Sequence, residues 1–341
     1  MDTQTKNKAR IIDIALQAGV STATVDRVLN SRPGVRQKTV DRVMDAVRLL
    51  EKALVRPAII PSIAADLVID VVIAGSAGFA NEILAKDLRR IAKQKGVELR
   101  ATYPQRMKPL AQVDALESCL EFGSSGVIVQ PLEHPAVREA VARFTGQGVP
   151  VVNVLTDLPG ADALGYAGLD NRAAGRTAGL LMGRLCRKAG KIAVFWGGQL
   201  YRCHEEREIG FRTILRDEYP DLSVLEVFLG QDDPEKNYRM AKRLLTTHRD
   251  LCGIYSIGSG NRGIEKAMLE SGRKDEITFV AQNLTPLTKQ CLLSGVMDAV
   301  VHQDMARVAD IAISAIIDHS VGRPVSIERV PVEIIMRENV R

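Results

Sequence analysis

The spacing of hydrophobic positions changes character along the chain. In residues 10–30, RIIDIALQAGVSTATVDRVLN, Ile11, Ile14, Ala15 and Ala18 recur at helical spacing and make one buried stripe that ends at Gly19. Gly19 suits a helix C-cap with positive φ, and Ser21 suits the N-cap of a helix that starts almost at once. In that second helix Val25, Val28 and Leu29 face inward, leaving Thr22, Ala23, Asp26 and Arg27 outside. Asn30-Ser-Arg-Pro-Gly supplies a turn, and residues 37–50 place Val40, Val43, Met44, Val47 and Leu50 on one face of a third helix. The pattern predicts a helix-turn-helix closed by a third helix.

From Leu67 the pattern becomes short apolar runs alternating with amphipathic helices. LVIDVVIAG, VELRATYP, GVIVQPL, VPVVNVLTD, GKIAVFWG, LSVLEVFLG, CGIYSIG, ITFVAQN and AVVHQD read as strands, with helices over 80–94 and 109–122 among the connections. Apolar strands without period-two alternation argue for parallel sheets covered on both faces. The expected fold class is α/β: a three-helix headpiece followed by two doubly wound lobes. Residues 1–52 form the headpiece, 53–66 a linker and 67–341 the larger domain. Within the larger domain, lobe 1 takes roughly 67–169 and 304–328, and lobe 2 roughly 170–303 and 329–341.

Size agrees with several cores, since 341 residues exceed what one core usually holds. The apolar runs are too interrupted to span a bilayer, and the charged start MDTQTKNKAR has no apolar segment after it, so a cytoplasmic protein without membrane contact is expected. The five cysteines, Cys119, Cys186, Cys203, Cys252 and Cys291, lie far apart, as incidental free thiols do, and the histidines show no metal-ligand spacing.

Charge changes the picture once it is located. Residues 1–60 hold eleven of the 46 Lys and Arg and six of the 41 Asp and Glu, which leaves 35 of each sign elsewhere. The whole surplus of +5 therefore coincides with the helix-turn-helix, as phosphate neutralisation requires. Arg27 can pair with guanine in a major groove and Thr22 can offer a hydroxyl or methyl, while Arg32 is available for a phosphate.

In doubly wound sheets, ligands sit beyond the carboxyl ends of the strands. Polar and aromatic residues at those ends are Ser76, Phe79 and Asn81, then Gln130, Asn153 to Asp157, Trp196 and Arg207, Ser259 and Asn261, Gln282 and Asn283, and Gln303 and Asp304. Amides, a carboxylate, a guanidinium and aromatic rings suit a neutral polyhydroxylated molecule. An enzyme is not expected. GSAGFAN lacks the GxGxxG spacing, GSGNRG lacks the Lys-Ser or Lys-Thr of a phosphate loop, and neither GxSxG nor HExxH occurs.

The run IIDIALQAGVSTATVDRVLNSRPGVRQKTVDRVMDAV resembles the headpiece of the LacI (lac repressor) family of bacterial transcription regulators. That resemblance implies a homodimer on a pseudo-palindromic double-stranded operator, with Thr22, Ala23 and Arg27 at the bases and Ser21, Thr24 and Asn30 nearer the backbone. Asp26 stands where the family usually has Ser. The linker EKALVRPAIIPSIAADLVID is shorter than the family's hinge and is interrupted by Pro57 and Pro61, with Leu54 the one candidate minor-groove wedge. Residues 68 to about 335 resemble the sugar-binding effector domain of periplasmic-binding-protein type. DNRAAGRTAGLLMGRL resembles the first crossing between lobes, EEREIGFRTIL the helix that places a ligand arginine at Arg207, and MDAVVHQDMARVADIA the return crossing with Gln303 at a sugar-contacting position. Gln282-Asn283 replaces the family's more common aromatic and acid, a departure that leaves polyols other than a simple pyranose open. The strand-end reading, with the resemblance adding its weight at Arg207 and Gln303, gives Ser76, Phe79, Asn81, Asp157, Trp196, Arg207, Asn261, Asn283 and Gln303 as the expected effector set. The expected function is a ligand-responsive DNA-binding regulator, a repressor of carbohydrate uptake or catabolism genes that needs no cofactor. The alternative is a sugar-binding protein without a DNA role.

Overall fold

The structure, a computed structural model of the chain, describes residues 11–30, 32–54, 66–75 and 78–340. The chain divides into two compact units, one within residues 1–62 and one within 63–341.

The first unit holds α1 (Ile11–Ala18), α2 (Thr22–Leu29) and α3 (Gln37–Leu54). Its core is Ile14, Ala15, Ala18, Val25, Val43, Ala46 and Val47, with Val20 and Val28 packed against it. Gly19 adopts φ 61°, the left-handed backbone expected of it, and the Val20 N–H returns to the Ala15 carbonyl at 3.0 Å. Ser21 caps α2 by accepting from the Thr24 N–H at 3.2 Å. Three apolar positions differ from expectation. Leu29 and Ile11 are each 41% exposed and Met44 is 37% exposed, while Ala46 is buried in the core. A core this small needs only one narrow seam per helix, and the small Ala46 allows α3 to approach where Met44 would hold it away. The backbone of α3 continues past 50 to Leu54, whereas the linker residues 55–65 and Ser76 lie outside the described residues.

The second unit is built of two sheets. In the first, β1 (Val68–Val72), β2 (Glu98–Thr102), β3 (Gly126–Val129), β4 (Val151–Val154) and β5 (Gly165–Ala167) run parallel in the order β2-β1-β3-β4-β5. Their register opposes Asp70 to Arg100, and the two close a bidentate pair of 2.9 and 2.6 Å that a slip of one residue would break. The connecting helices are α4 (Phe79–Lys95), α5 (Pro109–Glu121) and α6 (Pro135–Gly146).

After β5 the chain enters α7 (Asn171–Leu185), capped by Asp170, and builds the second sheet. This sheet comprises β6 (Gly190–Trp196), β7 (Leu222–Leu229), β8 (Leu251–Ser256), β9 (Thr278–Gln282), β10 (Ala299–His302) and β11 (Glu333–Ile335), in the order β11-β10-β9-β8-β6-β7. Only β11 runs antiparallel to its neighbour. Helices α8 (Arg202–Glu218), α9 (Pro234–Thr247), α10 (Asn261–Ser271) and α11 (Pro286–Leu293) complete this lobe. Then α12 (Met305–Ser320), capped by Asp304, buries Val308, Ala312, Ile313 and Ile316 against the first sheet. Each sheet has core on both faces, which explains why the strands read as continuous apolar runs. The sequence pattern does not announce β5 and β11, because three-residue edge strands are recruited by the strand they pair with.

Candidate functional site

Strand order reverses between β1 and β3 in the first sheet and between β6 and β8 in the second, the two positions where a doubly wound sheet opens a crevice. The crevices face each other across a cavity of about 390 Å³. Gly78 to Asn81, Gln130 and Leu155 line it from one lobe; Tyr201, His204, Arg207, Asp232, Asn261, Gln282 and Asn283 line it from the other, and Gln303 joins them at a crossing.

Arg207 stands at the centre of this lining. It projects from α8, whose backbone lies so close to α7 that a Cβ on Gly175 would fall 2.0 Å from the Arg207 carbonyl oxygen. Glycine at that contact is what lets the guanidinium reach the cavity while Nε donates to Asn171 Oδ1 at 2.9 Å. Nη1 reaches the Ile257 carbonyl at 3.5 Å, and Nη2 has no hydrogen bond among the described residues. Arg207 is 3% exposed and forms no ion pair among the described residues.

One helical turn before it, His204 is buried beside Tyr201 and Trp196, with ring centroids 5.4 and 6.3 Å away. Nδ1 meets the Gly198 carbonyl at 3.0 Å, so Nδ1 carries the proton and Nε2 is left as an acceptor. Burial, with the Arg207 charge nearby, pushes its pKa down to about 3, and the ring is neutral at ordinary pH. Asp232 reaches the same cavity from the loop after β7. Its carboxylate pairs with Arg106 of the other lobe at 2.8 Å and accepts the Ser259 N–H. Burial pushes this carboxyl above its usual range, against the pull of Arg106 and of the Ser259 N–H. A Cβ on Gly197 or Gly258 would lie 2.2 or 2.4 Å from Asp232 Oδ1, so both glycines are needed to admit the carboxylate.

Further strain and unspent hydrogen bonding gather here. Leu155, Asp232 and Asn283 all hold positive φ (63°, 56° and 65°), a backbone state that side chains other than glycine seldom adopt. Gln303 is fully buried with neither Oε1 nor Nε2 bonded, and Asn261 Oδ1, Gln282 Oε1 and Asn283 Oδ1 are likewise buried without partners. Buried polar atoms of this kind call for a partner, and here they share one cavity wall.

Of the effector residues expected from sequence, Phe79, Asn81, Arg207, Asn261, Asn283 and Gln303 meet at this cavity. Ser76 lies outside the described residues. Asp157 and Trp196 do not line the cavity. Asp157 turns back to accept from Asn153 Nδ2 at 3.1 Å and from the Leu158 N–H, and Trp196 packs edge-to-face with the His204 ring. Among the lining residues not anticipated are Tyr201, His204, Asp232 and Arg262. His204 was readable from its spacing of three before Arg207 on one helix. Asp232 was not, because its role depends on a partner 126 positions away.

On the first unit, Ser21, Thr22, Ala23, Arg27, Asn30 and Arg32 are exposed and Thr24 is half-buried. Asp26 ties two of them together, accepting from Asn30 Nδ2 at 2.7 Å on one oxygen and from Arg32 Nη1 at 3.0 Å on the other. Arg27 makes no ion pair among the described residues.

Comparison with known families and structures fits both units. Residues 10–51 match the model of bacterial regulatory proteins of the lacI family, and residues 71–324 match that of the periplasmic binding protein domain. No curated protein sequence matches the chain closely enough to count as a relative. Among solved structures, a transporter solute-binding protein from Burkholderia graminis in complex with D-arabinose is similar at 22% identity and a TM-score of 0.76, over 81% of this chain and 97% of that one. GanP, a glucose-galactose binding protein from Geobacillus stearothermophilus, is similar at 19% and 0.75, over 80% and 98%. A solute-binding protein from Agrobacterium vitis bound with alpha-D-tagatopyranose is similar at 18% and 0.74, over 80% and 95%. With two doubly wound lobes around a cavity, the chain belongs over residues 71–324 to the periplasmic binding protein domain family, and its capped helix-turn-helix over residues 10–51 is a domain of the lacI family of bacterial regulatory proteins.

Proposed function

We propose that this protein is a transcriptional repressor of carbohydrate uptake or catabolism genes, acting in the cytoplasm as a homodimer on a two-fold operator. Its effector is a sugar or polyol held between the lobes. The observation that carries the reading is one chain with two dissimilar surfaces: an exposed Thr22–Ala23–Arg27 face on a capped helix, and an enclosed cavity with unbonded amide groups. Thr22, Ala23 and Arg27 read bases, while Ser21, Thr24, Asn30 and Arg32 set the register on the backbone. Phe79, Asn81, Arg207, Asn261, Asn283 and Gln303 hold the effector, with His204 and Gln282 joining them. Amides suit hydroxyl groups because each both donates and accepts. The sugars named for the similar solved structures agree with this chemistry.

Regulation follows from linkage. Effector binds the closed lobes better than open ones, closure alters the dimer, and operator affinity changes by the same coupling factor. The test has two parts. Deleting residues 1–56 is expected to abolish operator retardation in a gel-shift assay while leaving effector-induced thermal stabilisation intact. DNA binding that survives the deletion would sink the headpiece assignment, and sedimentation of the intact chain as a monomer at operator-binding concentrations would sink the homodimer.

A further inference from the structure

Arg207 is 97% buried, points into the cavity and meets only neutral oxygens, those of Asn171 and Ile257. Burying a cation without an anion is costly, and proteins ordinarily supply a carboxylate. Among the described residues the one carboxylate in the lining, Asp232, is already engaged by Arg106 from the opposite lobe and by the Ser259 N–H. His204 is neutral, and Arg262 adds a second cation to the lining. Charge in the closed cavity is therefore positive and unbalanced. Three helix N-termini reinforce it: α4 behind Gly78, α8 behind Tyr201 and α10 behind Gly260 start at the cavity with no side-chain cap. By contrast α9, whose first residue Pro234 also lines the cavity, is capped by Asp233, and α7 and α12 are capped by Asp170 and Asp304. Exposed first-turn N–H groups favour an anion. The fully buried and unbonded Gln303 amide is aimed into the same space.

We infer that the effector is an anionic polyhydroxylated molecule whose carboxylate or phosphate seats against Arg207, its hydroxyls meeting the amides of Gln303, Asn261, Gln282 and Asn283. This rests on the reading of the cavity as an effector site for sugars or polyols, and it narrows that class to sugar acids and sugar phosphates. A neutral sugar would satisfy the amides but leave the guanidinium unbalanced; an anion satisfies both. Arg207 Nη2, unbonded among the described residues, is the donor left for it.

Calorimetric titration of the full chain with D-gluconate, D-galacturonate and D-glucose 6-phosphate, each beside sorbitol, D-galactose or D-glucose, tests the assignment. The expected result is that at least one anion binds roughly tenfold or more tighter than its neutral counterpart. The preference should weaken with added salt, persist in Arg207→Lys and disappear in Arg207→Gln. Preference for the two acids identifies a carboxylate, and preference for the phosphate ester identifies a phosphate. Neutral counterparts that bind as tightly as the anions overturn the inference and leave the sugar or polyol reading standing. Failure of both sets to bind overturns that reading and the inference with it.

Discussion

Arg106 reaches from one lobe of the effector domain to Asp232 on the other, Nη2 to Oδ2 at 2.8 Å, and its guanidinium also donates to the carbonyls of Gly197 and Gln231. The Asp232 side chain is buried and Arg106 half-buried, and the pair joins the two lobes, so it holds them closed without Arg106 being part of the effector wall. Removing one member of a buried pair costs about 3–5 kcal/mol when the other stays buried, but here opening the lobes rehydrates the survivor instead. Arg106→Met is therefore expected to shift the domain towards an open form, seen as a larger radius of gyration in solution scattering, and to weaken effector binding. Asp232→Asn on top of it should restore closure in part. Unchanged scattering in the single variant would remove the latch role.

Within the headpiece, Asp26 occupies two residues that would otherwise be free for phosphates. The pair with Arg32 is solvent-exposed and is worth at most about 1 kcal/mol to stability. Asp26→Ser should leave the melting temperature nearly unchanged, tighten operator binding, and steepen the dependence of log K on log salt by about one unit. A slope equal to that of the parent protein would show that Arg32 does not reach a phosphate.

Arg27 carries a separate expectation, because it is exposed on the outer face of α2 and makes no ion pair among the described residues. Arg27→Ala should reduce the preference for operator over random DNA by about 1–3 kcal/mol. An equal loss on both DNAs would assign Arg27 to the backbone.

His204 makes stability depend on pH. The unfolded side chain takes up a proton near pH 6.5, whereas the buried ring does so only near 3, so acid favours the unfolded chain. Its contribution is present above pH 6.5 and is lost as the pH falls from there towards 3. By pH 5 the loss amounts to about 2 kcal/mol. Denaturant midpoints of His204→Gln should therefore fall less between pH 7 and pH 5 than those of the parent, and parallel curves would contradict this.

The contact between α7 and α8 offers a steric test. A methyl at Gly175 would overlap the Arg207 carbonyl, which is backbone and cannot swing aside. Gly175→Ala should destabilise the domain by about 1–3 kcal/mol and weaken effector binding as α8 shifts. The corresponding change at Gly146, where a Cβ meets nothing within 4 Å, should do neither.

Local signals were enough to specify the helices and most strands, because a turn glycine, a serine cap and apolar runs act through neighbours in sequence. Gly19, Ser21 and Val25 could be assigned on those grounds, as could the alternation of strand and helix from Leu67 onward. Strand ends also marked Asn81, Arg207, Asn261, Asn283 and Gln303 as candidates, since ligands in such sheets lie beyond the carboxyl ends. Tertiary structure decided which of them converge. Asp157 and Trp196 have the right chemistry at strand ends, yet one turns to Asn153 and the other packs its ring against His204. It also paired Arg106 with Asp232, a contact between distant loops that no local pattern encodes. By taking up the carboxylate that lines the wall, that pairing leaves Arg207 as a buried charge without a counterpart among the described residues. The residue types are written in the sequence, but the charge balance of the cavity arises only when two sheets bring their loops together.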